Sequence, residues 1–129
     1  GWVVVADATG SWVRRAIDPG SAVNAILQDS RAEGIVVGQL QGGLRMSLIP
    51  QEYLVKPGDL ALTSGLGGLL PADIVIGQVT SVRQQQAALF QEAEIRSTVD
   101  FNRLGLVAVI ISFRPIDLSI FEQTIGGQR

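Results

Sequence analysis

A glycine-rich turn between two strand-like segments, within residues 56–78, most strongly constrains what this chain can fold into. Residues 60–63 alternate between larger apolar and smaller side chains with a period of two, which is typical of a half-buried strand. Three glycines in four positions follow, and Pro71 ends the turn: Gly65, Gly67 and Gly68. A β-branched run then begins at Ile74. The pattern predicts a strand-to-strand connection in which these glycines supply positive φ angles.

A phosphate-binding loop is the alternative interpretation of three closely spaced glycines. A Walker loop ends in Gly-Lys-Ser/Thr and continues into a helix whose N-terminus holds the anion. Here Leu69-Leu70-Pro71 follows the glycines, and a β-branched run stands where the helix would begin. A dinucleotide-binding fingerprint fails for the same reason. The sequence therefore favours a structural turn.

Short strand-like segments separated by turn residues extend over most of the chain. They are residues 2–6, 12–17, 33–39, 44–48, 60–63, 74–82 and 106–113. The segments 33–39 and 44–48 flank a Gly-Gly turn and predict a β-hairpin, in which Gly34 and Gly38 are typical of places where backbones approach closely. The unbroken apolar run at 106–113 predicts a strand buried on both faces. This spacing of turns favours an all-β barrel or sandwich.

Two further segments carry both helical and strand signals. If residues 22–29 form a helix, Val23, Ile26 and Leu27 lie on one face. If they form a strand, Val23, Ala25 and Leu27 share a face instead. Residues 87–96 have a helix-forming composition, but their alternation fits a strand better. Local propensity slightly favours a helix in the first segment, and the second stays open.

The composition allows a packed core and excludes several classes of chemistry. The chain has 129 residues, 47% of them hydrophobic, and a net charge of −2, so it presents no basic field for nucleic acid. It contains no His and no Cys, which excludes His or Cys zinc sites, disulfides and a Ser-His-Asp triad. We expect no cofactor. The longest apolar run is far shorter than the ~20 residues of a membrane helix, and the chain resembles a piece of a longer protein.

Few residues are candidates for catalysis. Ser64 follows a strand, and Lys56 is the only lysine, so a Ser-Lys dyad would need these two residues. Lys56 precedes a Pro-Gly turn, which favours a solvated side chain over a base. The carboxylates stand mostly in predicted turns, where Asp binds its own backbone. At least two of Trp2, Trp12 and Phe90 are expected in the core.

Several segments, taken in order, resemble motifs of the bacterial rod shape-determining protein MreC family. They are Lys56-Pro57-Gly58-Asp59 through Pro71, Ile17-Asp18-Pro19-Gly20-Ser21 through Ala25, Ser30-Arg31-Ala32-Glu33-Gly34 through Gly38, and Asp100-Phe101-Asn102-Arg103-Leu104. The resemblance covers about residues 1–113. It departs from the family at 70–73, where Leu-Pro-Ala-Asp replaces Phe-Pro-x-Gly.

The resemblance implies an organisation and a function. Small antiparallel β-barrels of short strands are expected, with 22–29 and 87–96 as strands. Residues 1–113 would hold the end of a first barrel and the second barrel, and residues 114–129 would form a partly ordered tail. The implied function is a non-catalytic extracytoplasmic scaffold of the cell-elongation machinery, anchored by a membrane helix outside this chain. Its implied partners are a class B penicillin-binding protein transpeptidase, MreD, the MreB-linked complex and further copies of itself.

The leucines of the glycine turn are the candidate partner contacts: Leu66, Leu69 and Leu70. Alternatively, Leu69 and Leu70 close one end of a barrel. Two other functions remain as alternatives, namely a serine hydrolase of double-barrel type that uses Ser64, and an adaptor barrel of a membrane-fusion or secretion assembly.

Overall fold

Eight β-strands make up the regular structure of the computed structural model, which describes residues 1–113. The strands are β1 (Trp2–Ala6), β2 (Ser11–Arg14), β3 (Ala22–Leu27), β4 (Glu33–Gly38), β5 (Leu44–Pro50), β6 (Leu60–Thr63), β7 (Val75–Arg83) and β8 (Phe90–Ser97). Strands β1 and β2 form a separate two-stranded sheet, and the other six form a closed barrel in the order β3-β4-β5-β8-β7-β6. The expected all-β fold with a small antiparallel barrel is confirmed.

Every neighbouring pair in the barrel is antiparallel, and the pairing of β3 with β6 closes it. At this seam Ala25 lies opposite Thr63 and Leu27 opposite Ala61. A closed barrel leaves no strand with an unpaired edge, so short strands of four to nine residues suffice.

The side chains that alternate inward from the strands fill the barrel. Val23, Ala25 and Leu27 of β3 are buried, and the residues between them are exposed or half-buried. The same alternation in β8 buries Ala93 and Ile95. Most of each ambiguous segment is therefore a strand, as the family resemblance implied, whereas residues 28–29 and 87–89 lie in the adjoining turns. The helix-forming composition of residues 87–96 is overridden because one face of the segment packs into the core.

A buried glutamine joins two connections at one end of the barrel. Gln91 donates from Nε2 to the carbonyl oxygens of Pro50 at 3.0 Å and Tyr53 at 2.7 Å, and its Oε1 accepts from Gln84 Nε2 at 2.8 Å. All of its polar atoms thus have partners, as a buried amide requires. These bonds order the irregular link between β5 and β6 without a helical turn.

Three glycines in the barrel strands allow close backbone contacts. A Cβ at Gly34 would lie 2.7 Å from the Ser47 carbonyl oxygen, and one at Gly38 would overlap that of Asp18. The expectation that backbones approach closely at these two positions is confirmed. Gly77 in β7 is a third such position, where a Cβ would overlap the carbonyl oxygen of Arg96.

The β1–β2 hairpin exposes apolar residues on an arm beside the barrel. Within residues 1–113 neither of its strands pairs with a barrel strand. Val3, Val4, Val5 and Val13 are exposed, and 75% of Trp12 is exposed. Asp7 orders the hairpin turn by accepting bonds from the backbone N–H groups at positions 9 and 10.

The expectation that at least two of the large aromatic residues lie in the core is wrong. Trp12 stands on the hairpin, where no second sheet covers it, and 47% of Phe90 is exposed at the start of β8. Trp2 is half-buried. The interior is filled by aliphatic and small residues instead, because a barrel of six short strands encloses little room.

The predicted buried strand at residues 106–113 is also wrong. The segment has no regular secondary structure, and its apolar side chains are exposed, Leu106 by 97%. Each barrel strand already has two neighbours, so the barrel offers no edge to which this segment could pair. The predicted tail at 114–129 lies outside the described residues. Within residues 1–113, no helix has the length and apolar character needed to cross a membrane.

Replacing Gly77 by Ala should lower the free energy of unfolding by about 1–3 kcal/mol, since the new methyl group overlaps backbone across the β7–β8 ladder. Gly10→Ala is the matched control. A Cβ at Gly10 meets nothing within 4 Å, so its effect should stay within about 0.5 kcal/mol. Urea denaturation of both variants measures the difference, and equal stabilities would contradict the packing argument.

Candidate functional site

The glycine loop, residues 64–73, leaves the end of β6 and returns to the start of β7. Thr63 holds its two ends together through main-chain and side-chain bonds. The Thr63 N–H donates to the Ile74 carbonyl oxygen at 2.8 Å, and the Asp73 N–H donates to the Thr63 carbonyl oxygen at 2.8 Å. The Thr63 hydroxyl donates to the Pro71 carbonyl oxygen at 2.7 Å and accepts from the Ile74 N–H at 2.9 Å. The loop is therefore closed at its base.

Asn24 of β3 gives the loop a second attachment. Its carbonyl oxygen accepts from the Ser64 N–H at 3.0 Å, and its Nδ2 donates to the Leu66 carbonyl oxygen at 3.1 Å. The Ser64 hydroxyl accepts from the Leu66 N–H at 3.2 Å. The first half of the loop thus lies along β3, on the seam that closes the barrel.

The three glycines have the backbone conformation that the turn pattern predicts. Their φ angles are +78° at Gly65, +85° at Gly67 and +72° at Gly68, and Asp73 adds a further positive φ of +66°. An L-residue with a Cβ pays about 1–2 kcal/mol in this region, whereas glycine enters it freely. The loop path therefore depends on glycine at these positions.

The loop leucines differ in exposure. Leu69 is 55% exposed, whereas Leu66 and Leu70 are half-buried. Ile74 and Val75, where the chain leaves the loop, are also exposed. The sequence predicts these two residues only as part of a strand, because side-chain alternation does not reveal which face of a strand stays uncovered. Of the three candidate leucines only Leu69 is exposed, and further exposed apolar side chains follow where the chain enters β7.

The Ser-Lys dyad has no support in the geometry. The Lys56 Nζ lies 3.4 Å from Asp59 Oδ1 and 3.9 Å from Asp29 Oδ2. The Ser64 hydroxyl instead bonds the backbone of its own loop. A nucleophile needs its base within hydrogen-bond reach, and here each residue is engaged elsewhere. No cluster of acidic ligands suited to a metal ion occurs within residues 1–113.

A shallow cleft of about 650 Å³ lies between the root of the hairpin and the chain after β8. Arg15 stands in it, paired with Asp18 at 2.7 Å and 6.0 Å from the ring centre of Phe101. Hydrogen bonds from the Arg15 side chain and backbone hold the pKa of the Asp18 carboxyl below its usual value. The cleft joins two segments of the chain and brings together no catalytic pair.

Comparison with known proteins identifies relatives of most of the chain. The model of the family described as rod shape-determining protein MreC, barrel core, matches residues 1–111. The cell shape-determining protein MreC of Cereibacter sphaeroides is 29% identical over 104 residues, which is 81% of this chain and 33% of that protein. The chain thus spans about a third of the length of this relative.

Solved structures share the fold. A structure of MreC has a TM-score of 0.73 at 23% identity, with 79% of this chain and 58% of that chain covered. A chain in the complex between penicillin-binding protein (PBP2) and MreC from Helicobacter pylori has a TM-score of 0.58 at 20% identity, with 65% and 53% covered. At these identities the likeness concerns the arrangement of strands.

Gly67→Ala should destabilise the protein by about 1–2 kcal/mol through its positive φ, because its Cβ would otherwise make only an ordinary contact, 3.7 Å from Asn24 Nδ2. Gly67→Asn should cost less, since Asn tolerates this conformation better. Gly105→Ala is the control, at a position with open space and no positive φ. The free energies of unfolding rank the three variants. If Gly67→Ala and Gly105→Ala were equally stable, the backbone argument would fail.

Proposed function

The chain belongs to the rod shape-determining MreC family, and we propose that its barrel is a non-catalytic scaffold domain of the bacterial cell-elongation machinery. The observation that carries this proposal is the match of the barrel-core family model to residues 1–111. The family is a structural, cell-shape family and not an enzyme family. A hydrolase is not favoured, because Ser64 and Lys56 are engaged with other groups.

The packing of the barrel supports a scaffold. Large aliphatic side chains fill its interior, among them Leu27, Leu44, Met46 and Ile49, all almost fully buried. Small-molecule sites are concave and apolar, whereas this interior is occupied by the protein's own side chains. Recognition would therefore use the outer surface, where the loops and the hairpin expose apolar side chains.

The partner that we propose is a class B penicillin-binding protein transpeptidase, bound through the glycine loop. The structural relative from Helicobacter pylori was solved in a complex with a penicillin-binding protein, which supports this class of partner. Leu69 is exposed on a loop that Thr63 and Asn24 attach to the barrel. An apolar side chain on an ordered loop loses little conformational entropy on binding, which favours affinity.

We further propose an extracytoplasmic location, with a membrane anchor outside this chain, and links to MreD and the MreB-associated complex. These follow from family membership and from the proposed transpeptidase partner. Self-association is proposed through the β1–β2 hairpin, whose outer edges pair with no other strand within residues 1–113. Such edges are templates for strand addition, whereas the closed barrel has none.

As the alternative to self-association through these edges, we propose that the hairpin and residues 106–113 belong to a first barrel, completed by residues outside this chain. Both segments are exposed and apolar. Residues 106–111 contain no charged residue, and the exposure of so apolar a run to water is unfavourable. The chain spans about a third of a curated relative, so ample polypeptide exists in that protein to supply further strands. Arg15 and Phe101, at the roots of the two elements, lie close together.

Hydrogen exchange should reveal such a first barrel. Amides of residues 106–111 should exchange fast in the chain of 129 residues and become protected in the full-length protein, while those of β8 stay protected in both. Protection that instead rises with the concentration of the short chain would indicate a second copy as the covering partner. Equal, fast exchange in both proteins would contradict the first-barrel proposal.

Leu69→Asp should weaken binding to the transpeptidase at least tenfold without unfolding the barrel, since the side chain is exposed and a charge placed in an apolar contact is left without a partner. Leu54→Asp is the matched control, because Leu54 is also exposed but precedes β6, at the opposite end of the strand from the loop. Biolayer interferometry gives both dissociation constants. Binding of Leu69→Asp with the parent affinity would refute the loop contact.

A further inference from the structure

Thr63 is a buried polar residue at the point where β6 continues into the glycine loop. It is 3% exposed, although it is polar and the last residue of its strand. Its hydroxyl bonds two residues that lie 8 and 11 positions further along the chain, Pro71 as acceptor and Ile74 as donor. One hydroxyl therefore uses both its donor and its acceptor capacity to join the exit of the glycine loop to the entry.

The loop needs such an attachment. Its three glycines lose more conformational freedom on ordering than residues with a side chain would, so the loop has a strong entropic tendency to open. The positive φ angles at Gly65, Gly67 and Gly68 describe one path among many that glycines allow. The bonds to Thr63 and the Asn24 amide select this path, because they fix the end and the beginning of the loop.

We infer that Thr63, assisted by Asn24, is a latch that holds the glycine loop in its binding-ready conformation, so that Thr63 is a positioning residue for partner recognition. The inference rests on the proposed function of the loop. The latch touches the loop backbone and leaves Leu69 exposed to the partner. Without the hydroxyl, the ordered loop becomes one of several populated states, and the apparent dissociation constant rises as the fraction of ordered loop falls.

Thr63→Val tests the latch, because valine keeps the shape and removes the hydroxyl. Amide exchange within residues 65–70 should accelerate about tenfold, and binding to the transpeptidase should weaken by a similar factor. Thr63→Ser keeps the hydroxyl and should restore both properties. Thr98→Val is the matched control, since the Thr98 hydroxyl bonds the Ile76 carbonyl oxygen at the same end of the barrel but does not touch the loop.

Asn24→Ala provides a second test if Thr63→Val fails to fold. Its side chain is exposed, so the barrel should tolerate the change, while the bond to the Leu66 carbonyl oxygen is lost. We expect faster exchange of residues 65–70 and weaker binding, with an unchanged melting temperature. A purely structural role would lower the melting temperature and leave the ratio of loop to barrel exchange unchanged.

The outcomes separate the latch from the proposed loop contact. If Leu69→Asp abolishes binding while Thr63→Val and Asn24→Ala change neither loop exchange nor affinity, the latch is refuted and the loop contact stands. If Leu69→Asp leaves binding intact, the loop contact fails. Amide exchange of residues 65–70 in Thr63→Val and Asn24→Ala then tests the latch by itself. Faster exchange than in the parent protein supports a latch that serves another partner, and an unchanged exchange rate overturns the latch.

Discussion

The antiparallel pairing of β3 with β6 is the interaction on which the rest of this structure depends. It closes a sheet of six short strands, which would otherwise expose two unpaired edges and lose its enclosed core. The same pairing places Thr63 opposite Ala25 and brings the Ser64 N–H to the Asn24 carbonyl oxygen. The pairing that closes the barrel therefore also fixes the base of the glycine loop.

Alternation of side chains was enough to predict most of the barrel. It located the hairpin of β4 and β5, and in β8 it indicated the correct structure against a helix-forming composition, because Ala93 and Ile95 face the core. It was misleading for residues 106–113 and for Trp12. An apolar composition indicates that burying a segment would be favourable. Burial also needs a facing surface or a free strand edge, and the closed barrel offers neither.

The backbone conformation of the glycine loop was predictable from the sequence, but the hydrogen bonds that attach the loop to the barrel were not. Positive φ at Gly65, Gly67 and Gly68 follows from residue type and turn context. The role of Thr63 does not follow from its residue type, since threonine is a common residue in strands. Its two side-chain hydrogen bonds form only because the chain returns from the loop to that point. The Asn24–Leu66 bond spans 42 positions and has no local signal either.

A closed barrel limits how this protein can meet others. Its strands satisfy each other's backbone groups, and its interior is filled by its own side chains, so recognition by strand addition to the barrel or by a cavity inside it is unfavourable. Exposed apolar side chains lie instead on the surface, among them those of the glycine loop, the β1–β2 hairpin and residues 106–113. For the proposed contact through the glycine loop, order before binding favours affinity, and the hydrogen bonds of the Thr63 hydroxyl supply that order. Within residues 1–113 the β1–β2 hairpin has free edges and an exposed Trp12, which suit strand addition, so under our proposals assembly and recognition use separate parts of the chain.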